Sequence, residues 1–217
     1  NQNDISISGG TLTNFQSASE VKYAATFTPS NYGASTVNVK ADVFTDTLGN
    51  KNIASEVFSW FFDNASPVIG SVALAADNGS INISFSEPVF NTTSGSGALE
   101  VSDFALSLTG GTATLTSATP TAITQSGNTY TLSFSLSGTP DGSEVISVAP
   151  LANSIYDGSG NLASTTQSNG SGTLFDQTKP VISAINFSDD NSYVDVEFSV
   201  EVFSNSNGSG ALELTDF

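Results

Sequence analysis

Any chemistry in this 217-residue chain must come from carboxylates. It carries 21 acidic residues against four lysines (Lys22, Lys40, Lys51 and Lys179), with no arginine, histidine or cysteine. Carboxylate oxygens suit hard divalent cations, calcium above all, which gathers roughly six to eight of them. Nucleophile activation and oxyanion clamps draw on His, Cys or Arg, which are missing. A glycosidase pair needs two carboxylates across a sugar-sized cleft, and no motif marks one. The chain is therefore not expected to be an enzyme. At a net charge of −17 it has no cluster of cations with which to release counterions from a nucleic-acid backbone. An anionic membrane surface is disfavoured for the same reason. No apolar run approaches the ~20 residues that cross a bilayer, so no membrane insertion is expected.

Two of the acids open matching motifs, Asp46–Asn50 (DTLGN) and Asp157–Asn161 (DGSGN). An Asp side chain can accept amides two residues on, and Gly supplies the positive φ of such a turn. Turn formation accounts for the motif without a ligand. Calcium is the second reading for Asp157, although the spacing lacks the alternating acids of an EF-hand loop.

A repeat organises the remaining acids. Pro67–Phe104 aligns without a gap on Pro180–Phe217, with 17 of 38 positions identical at a separation of 113 residues. At the other end, DISISGGTLTNF (4–15) reads like DFALSLTGGTATL (103–115), and Phe62-Asp63 through Pro67 reads like Phe175-Asp176 through Pro180. Residues 1–64 are then the C-terminal part of one unit, 65–178 a complete unit, and 179–217 the N-terminal part of the next. A period this long is that of a whole small domain rather than a solenoid repeat. The two part-units are expected to be completed by chain beyond this window or by each other in a neighbouring molecule.

Period-2 alternation supplies the strands. TYTLSFSLS (129–137) places Tyr130, Leu132, Phe134 and Leu136 on one face; INISFSEPVF (81–90) and its counterpart VDVEFSVEVF (194–203) do likewise. TVNVKADVF (36–44) reads as one further strand, and TSGSGALEVSDF as a loop with a short helical turn. About seven short strands per unit, punctuated by Asn-Gly, Asp-Gly and Gly-Gly turns, predict an all-β two-sheet sandwich.

End-to-end sandwiches would bring linker acids against the loops of the next unit. Asp63 and Asp176 each lie four residues before a proline, Pro67 and Pro180. Asp103, Glu100 and Glu87 are the loop acids they are expected to meet, forming a calcium clamp that stiffens the joint. Glu87 ranks below Asp103, Asp63 and Asp176, because Val200 replaces it in the next copy and Glu201 follows one place on, on the opposite face of a strand. Trp60 in EVFSWFF and Tyr32 in PSNYG are the aromatics a sugar platform would use; strand packing is the plainer reading of Trp60. The Asn-x-Ser/Thr triplets, such as Asn82-Ile-Ser84, carry little weight in so Asn- and Ser-rich a chain.

The motifs GGTLTNF, ATFTPSNYG, VNVKADVFTDTLGN and FSWFFDNASP in 1–64 resemble bacterial Ig-like repeats of giant surface adhesins. FSEPVF, DFALSLTGG, YDGSGN and FDQTKP in 65–178 resemble related repeats of large Bacteroidetes adhesins, gliding-motility adhesins among them. The resemblance implies an elongated array of tandem Ig-like Greek-key β-sandwiches, extracellular at the bacterial cell surface, that holds a distal binding region away from the cell and in some members binds calcium. Its implied partners are neighbouring repeats of the same chain. Two alternatives stand beside it: repeats that assemble with other copies into a filament or bind ligand themselves, and an accessory module of a large secreted enzyme.

Overall fold

A computed structural model describes residues 1–30 and 32–217. Residues 1–64 contribute β1 (Ile5–Ser8), β2 (Gly10–Ser19), β3 (Lys22–Pro29), β4 (Gly33–Val39) and β5 (Phe58–Phe62). β4 lies between β1 and β5 in one antiparallel sheet, and β2 pairs with β3 as a hairpin. The hairpin packs over that sheet, with Phe27 meeting Trp60 edge-on at 4.8 Å between centroids. The strand expected over 36–44 stops at Val39. Asp42 takes φ 64, and the Asn52 side chain accepts from the Val43 and Phe44 amides at 2.9 and 3.1 Å. A left-handed residue and a side chain that captures backbone donors end a ladder.

The next eleven strands are β6 (Ile69–Leu74), β7 (Ser80–Phe85), β8 (Val89–Phe90), β9 (Phe104–Thr109), β10 (Thr114–Leu115), β11 (Ala122–Ser126), β12 (Thr129–Ser133), β13 (Leu136–Ser137), β14 (Val145–Pro150), β15 (Tyr156–Asp157) and β16 (Ser171–Thr173). One sheet runs β6-β7-β12-β11 and the other β9-β14-β16. Lettering those seven in chain order gives A-B-E-D against C-F-G, the strand order of a constant-type immunoglobulin sandwich. The protein is all-β with Ig-like sandwich architecture.

Alternation in the sequence becomes burial between these two sheets. Ile81, Ile83, Tyr130 and Leu132 of the first meet Phe104, Ile146 and Val148 of the second, all essentially solvent-free. Phe85, Phe104 and Tyr130 form an aromatic triad, with Tyr130 edge-on to Phe85 at 5.9 Å. Each such side chain contributes about 1.5–3 kcal/mol by leaving water. The segment 129–137 keeps its buried face but changes partners midway. Phe134 N still donates to Gly79 O at 3.0 Å, and β13 then pairs with β10. The expected helical turn is a 3-10 turn over Val101–Asp103.

Residues 179–217 hold β17 (Ile182–Phe187), β18 (Val194–Phe198) and a 3-10 turn, Leu214–Asp216. The β17·β18 ladder repeats β6·β7 pair for pair at a separation of 113 residues: Ile182↔Phe198, a bulge, then Ala184↔Glu197 to Phe187↔Val194, against Ile69↔Phe85, a bulge, then Ser71↔Ser84 to Leu74↔Ile81. The turns joining the strands share a left-handed Asn, Asn78 at φ 55 and Asn191 at φ 58.

Glu144 is a buried carboxylate that sequence reading passed over, hidden in the apolar run EVISVAP. It is fully buried, and its Oε1 accepts from the amides of Thr112 and Ala113, both at 3.0 Å, while Oε2 accepts from Asp141 N at 3.0 Å. It thereby pins the Gly110-Gly111 turn, where a Cβ on Gly111 would come within 2.2 Å of the Glu144 carboxyl carbon. Burial pushes the carboxyl pKa up, but the backbone donors, Ala113 foremost, outweigh it and hold the group below its ordinary 4.5. With the folded-state value depressed, its stabilisation is complete above pH 4.5 and is lost as pH falls through the folded value. Glu144→Gln should therefore unfold at a lower temperature than wild type at neutral pH, by about 2 kcal/mol or more of lost charge-assisted bonding. The gap between the two melting curves should close on acidification; a gap independent of pH would contradict the assignment.

Candidate functional site

The acids that converge are Asp63, Glu87 and Asp157. Each offers a carboxylate oxygen, all within 4.8 Å of one another. Asp63 comes from the segment after β5, Glu87 from the short link between β7 and β8, and Asp157 from β15, whose partner across the ladder is Val89 of β8. The two-residue pairing of β15 with β8 thus sets Asp157 beside Glu87.

Asp157 is buried and organises its own turn. Its Oδ1 accepts from Ser159 N and Asn161 N at 2.8 Å each, and its Oδ2 from Asn161 Nδ2 at 2.7 Å. The DTLGN turn reproduces this bond for bond, Asp46 accepting from Leu48 N, Asn50 N and Asn50 Nδ2. Gly49 and Gly160 take φ 86 and 87, as such turns require. The turn reading of the motif holds, and Asp46 is held below its ordinary value chiefly by the Asn50 side chain. In the second turn the Asn has another task. Asn161 Nδ2 also donates to Asp63 O at 3.2 Å, tying the segment before Pro67 to the sandwich loop. Ser159 Oγ lies 3.5 Å from Asp63 Oδ2.

Three carboxylates this close repel one another. Burial first, and then the charges of Asp157 and Asp63, push the Glu87 carboxyl above its ordinary 4.5. The cluster can relieve that repulsion by taking a proton on Glu87 or by gathering around a dication, for which three carboxylates and water would be a suitable hard-ligand set.

The other acids singled out by the sequence lie elsewhere. Asp103 caps its own 3-10 turn, Oδ2 accepting from Glu100 N at 2.7 Å, and its carbonyl takes Leu151 N and Ser154 Oγ. Burial, ahead of the neighbouring Glu100, leaves its carboxyl raised. Neither Asp103 nor Glu100 belongs to the cluster; the Asp103 carboxylate is turned to its own 3-10 turn instead. Asp176 accepts from Thr178 N and Oγ1 at 2.8 and 2.6 Å, which holds its pKa down, the hydroxyl bond foremost. Val200 occupies the position equivalent to Glu87 in the next copy. The departure that ranked Glu87 low is a difference between successive copies, and Glu87 itself stands at the centre of the cluster.

Asn78 belongs to the Asn78-Gly79 turn, one of the Asn-Gly turns of the sequence. It is buried, donates through Nδ2 to Phe175 O at 2.7 Å and accepts from Phe175 N at 2.9 Å. This two-way clasp fixes the chain just before Asp176. Of the aromatics, Trp60 packs between Phe27 and Phe58, and Tyr32 lies edge-on to Phe61 at 5.0 Å.

Residues 1–60 match the family model of the bacterial Ig-like domain. The match spans β1 to β4 and reaches Trp60 within β5. No curated protein and no solved structure matches the chain. The match agrees with the two antiparallel strand sets found there, β1-β4-β5 and β2-β3.

Glu87 yields the test of this geometry. Its folded-state pKa is raised, so its favourable contribution is present below pH 4.5 and is lost as pH rises through the folded value. With chelator present, Glu87→Gln should melt higher than wild type at pH 7 and converge with it in acid. A lower melting temperature at pH 7 would mean that the three carboxylates do not repel as placed.

Proposed function

We propose that the chain is part of the stalk of a secreted bacterial cell-surface adhesin, a series of Ig-like units of which 65–178 is one whole unit, flanked by parts of two others. Bacterial Ig-like domains commonly serve as surface and structural modules, and among the described residues no helix is long and apolar enough to cross a membrane. The observation that carries the reading is the tethered joint: Asn161 clasps the backbone of Asp63 at the start of the sandwich, and Asn78 clasps Phe175 at its end. A freely jointed linker would need neither. Side chains that bond to the entering and leaving chain, the half-buried Asn161 and the buried Asn78, limit swivel, which is what a spacer requires of its joints.

On this reading the cluster of Asp63, Glu87 and Asp157 is where calcium acts. A dication there would bridge the entering segment to the loops of the next unit and add to the Asn161 clasp. A ligand bound only by the folded state raises the melting temperature by mass action. The catalytic alternative gains no support from a site whose side chains are occupied with joints and turns.

Two experiments test the proposal. Antibody raised to the 217-residue chain should label intact, unpermeabilised cells, and protease applied outside should remove the label; labelling only after lysis would overturn a surface stalk. Calcium should raise the melting temperature of the chain over that in chelator, with Asp63→Asn abolishing the rise and Asp103→Asn preserving it. An unchanged melting temperature would assign joint stiffness to the asparagine clasps alone.

A further inference from the structure

Charge is absent from the sheets of the sandwich formed by β6 to β16. None of the strands β6, β7, β9, β11, β12, β14 and β16 contains a charged residue. The acids stand instead in turns, links and the short β15. The longest uncharged stretch of the chain, residues 104–140, includes the whole of β11. A chain of net charge −17 repels its own copies wherever acids face each other. The flank that carries β11 presents none.

The outer strands of the two sheets are β6, β11, β9 and β16, and three of them are blunted. β6 gives Ile69 N to the Gln167 side chain at 2.9 Å and carries a bulge between Ile69 and Ser71. β9 gives Leu106 N to Ala118 O at 2.7 Å. β16 is only Ser171–Thr173. Covering groups, bulges and short length are ways in which sheets avoid pairing with other chains, as are charge and proline on the edge. β11 uses none of these. It pairs with β12 from Ala122↔Ser133 to Ser126↔Thr129 without a shift, contains no Lys, acid or Pro, and has no second partner among the described residues. All four strands of its sheet are present, so this edge belongs to the finished sandwich.

The ladder fixes which backbone groups of β11 are free. Just outside β12, Phe134 N donates to Gly79 O and Asn128 O accepts from Phe85 N, both at 3.0 Å. Even-numbered residues there thus bond to β7, and by alternation Thr129, Thr131 and Ser133 bond to β11. Their partners Ser126, Thr124 and Ala122 turn inward to the ladder, so Ile123 and Gln125 aim N–H and C=O outward. We infer that two copies of this chain associate side by side through β11, antiparallel and centred on Thr124. Ile123 of one copy then exchanges backbone bonds with Gln125 of the other, Ala122 stands opposite Ser126, and Thr124 meets its own counterpart. The central pair is of the non-hydrogen-bonded kind, with Cα atoms about 4.5 Å apart and side chains close. Such a contact is isologous and closes as a dimer. The choice of a second copy rests on charge and on hydroxyl chemistry. An acidic or basic partner would find no opposite charge on β11, whereas another copy meets a flank as neutral as its own. A hydroxyl both donates and accepts, so Thr124 suits its counterpart. It also extends a row already built on that face, where Thr124 stands opposite Thr131 and Thr131 Oγ1 donates to Asn82 Oδ1 at 2.7 Å. This association is independent of the adhesin reading.

Sedimentation equilibrium of the 217-residue chain from micromolar to millimolar concentration tests it, with charges placed at the exposed Thr124. Mass should rise with concentration. Thr124→Lys and Thr124→Glu each set like charges face to face across the two-fold axis and should each weaken association by roughly threefold or more. For Thr124→Lys this is the opposite of what net charge alone would do, since the substitution makes the chain less acidic. An equimolar mixture of the two variants should associate at least as tightly as wild type, through mixed dimers that oppose Lys to Glu. A chain that stays monomeric throughout overturns the inference. So does association that Thr124→Lys leaves unchanged or strengthens, or a loss in both variants that mixing does not restore.

Discussion

The pairing of β7 with β12 joins two stretches of chain that are far apart in sequence, Ser80–Ser84 and Thr129–Ser133. Every residue pair in that ladder either faces the second sheet or supports one that does. Ile81 stands opposite Leu132 and Ile83 opposite Tyr130, all four solvent-free, and the aromatic triad extends from there to Phe104 at the start of the other sheet. The sandwich of β6 to β16 is therefore closed by long-range ladders, β7·β12 and β9·β14, whose loop cost is offset by core burial. Its hairpins, β6–β7 and β11–β12, are local and would be marginal alone.

That dependence explains the contrast in burial along the chain. The β17–β18 hairpin repeats the register of β6–β7, while β2–β3 has two register shifts where β11–β12 has none, and both segments leave large apolar side chains such as Val21, Ile53, Phe187 and Leu214 open to solvent. Among the described residues neither β3 nor β18 has a partner of the kind that β7 and β12 give each other. Local sequence is enough to build β17 against β18, bulge included; it is not enough to cover the face the hairpin presents.

Much of the architecture could be read from the residues. Alternation identified the central strands and the correct buried face of 129–137, because a half-buried strand must repeat every second residue. The 113-residue offset placed β17 and β18 on the pattern of β6 and β7. Boundaries failed where side chains bond to the backbone, as with Asn52 at the end of β4, since a polar side chain that captures amides leaves no periodic trace. The candidate site was legible in part. Asp63 and Glu87 were both named, and Asp157 was recognised through its turn, but their convergence depends on the two-residue β8·β15 pairing, which is too short to carry a pattern. Glu144 and Asn78 were invisible as anchors: a carboxylate in an apolar run and an Asn in a turn reveal their partners only when the chain is folded.

The acids of this chain serve three different ends, separated by how their oxygens are used. In Asp46, Asp176 and Asp190 the oxygens accept donors within a few residues, and all three titrate below their ordinary value, Asp190 at about 2. Glu144 does the same work across a longer span, holding a glycine turn against the core. Glu87 is the opposite case: it has burial and like charges around it, and its carboxyl is raised. A protein with 21 acids can place most of them on donors at little cost, so an acid left facing two others stands out by its energetics rather than by its residue type. Composition alone pointed to cations in general. The arrangement of donors points to one joint, where the chain enters the sandwich and where an added positive charge would do most to hold it.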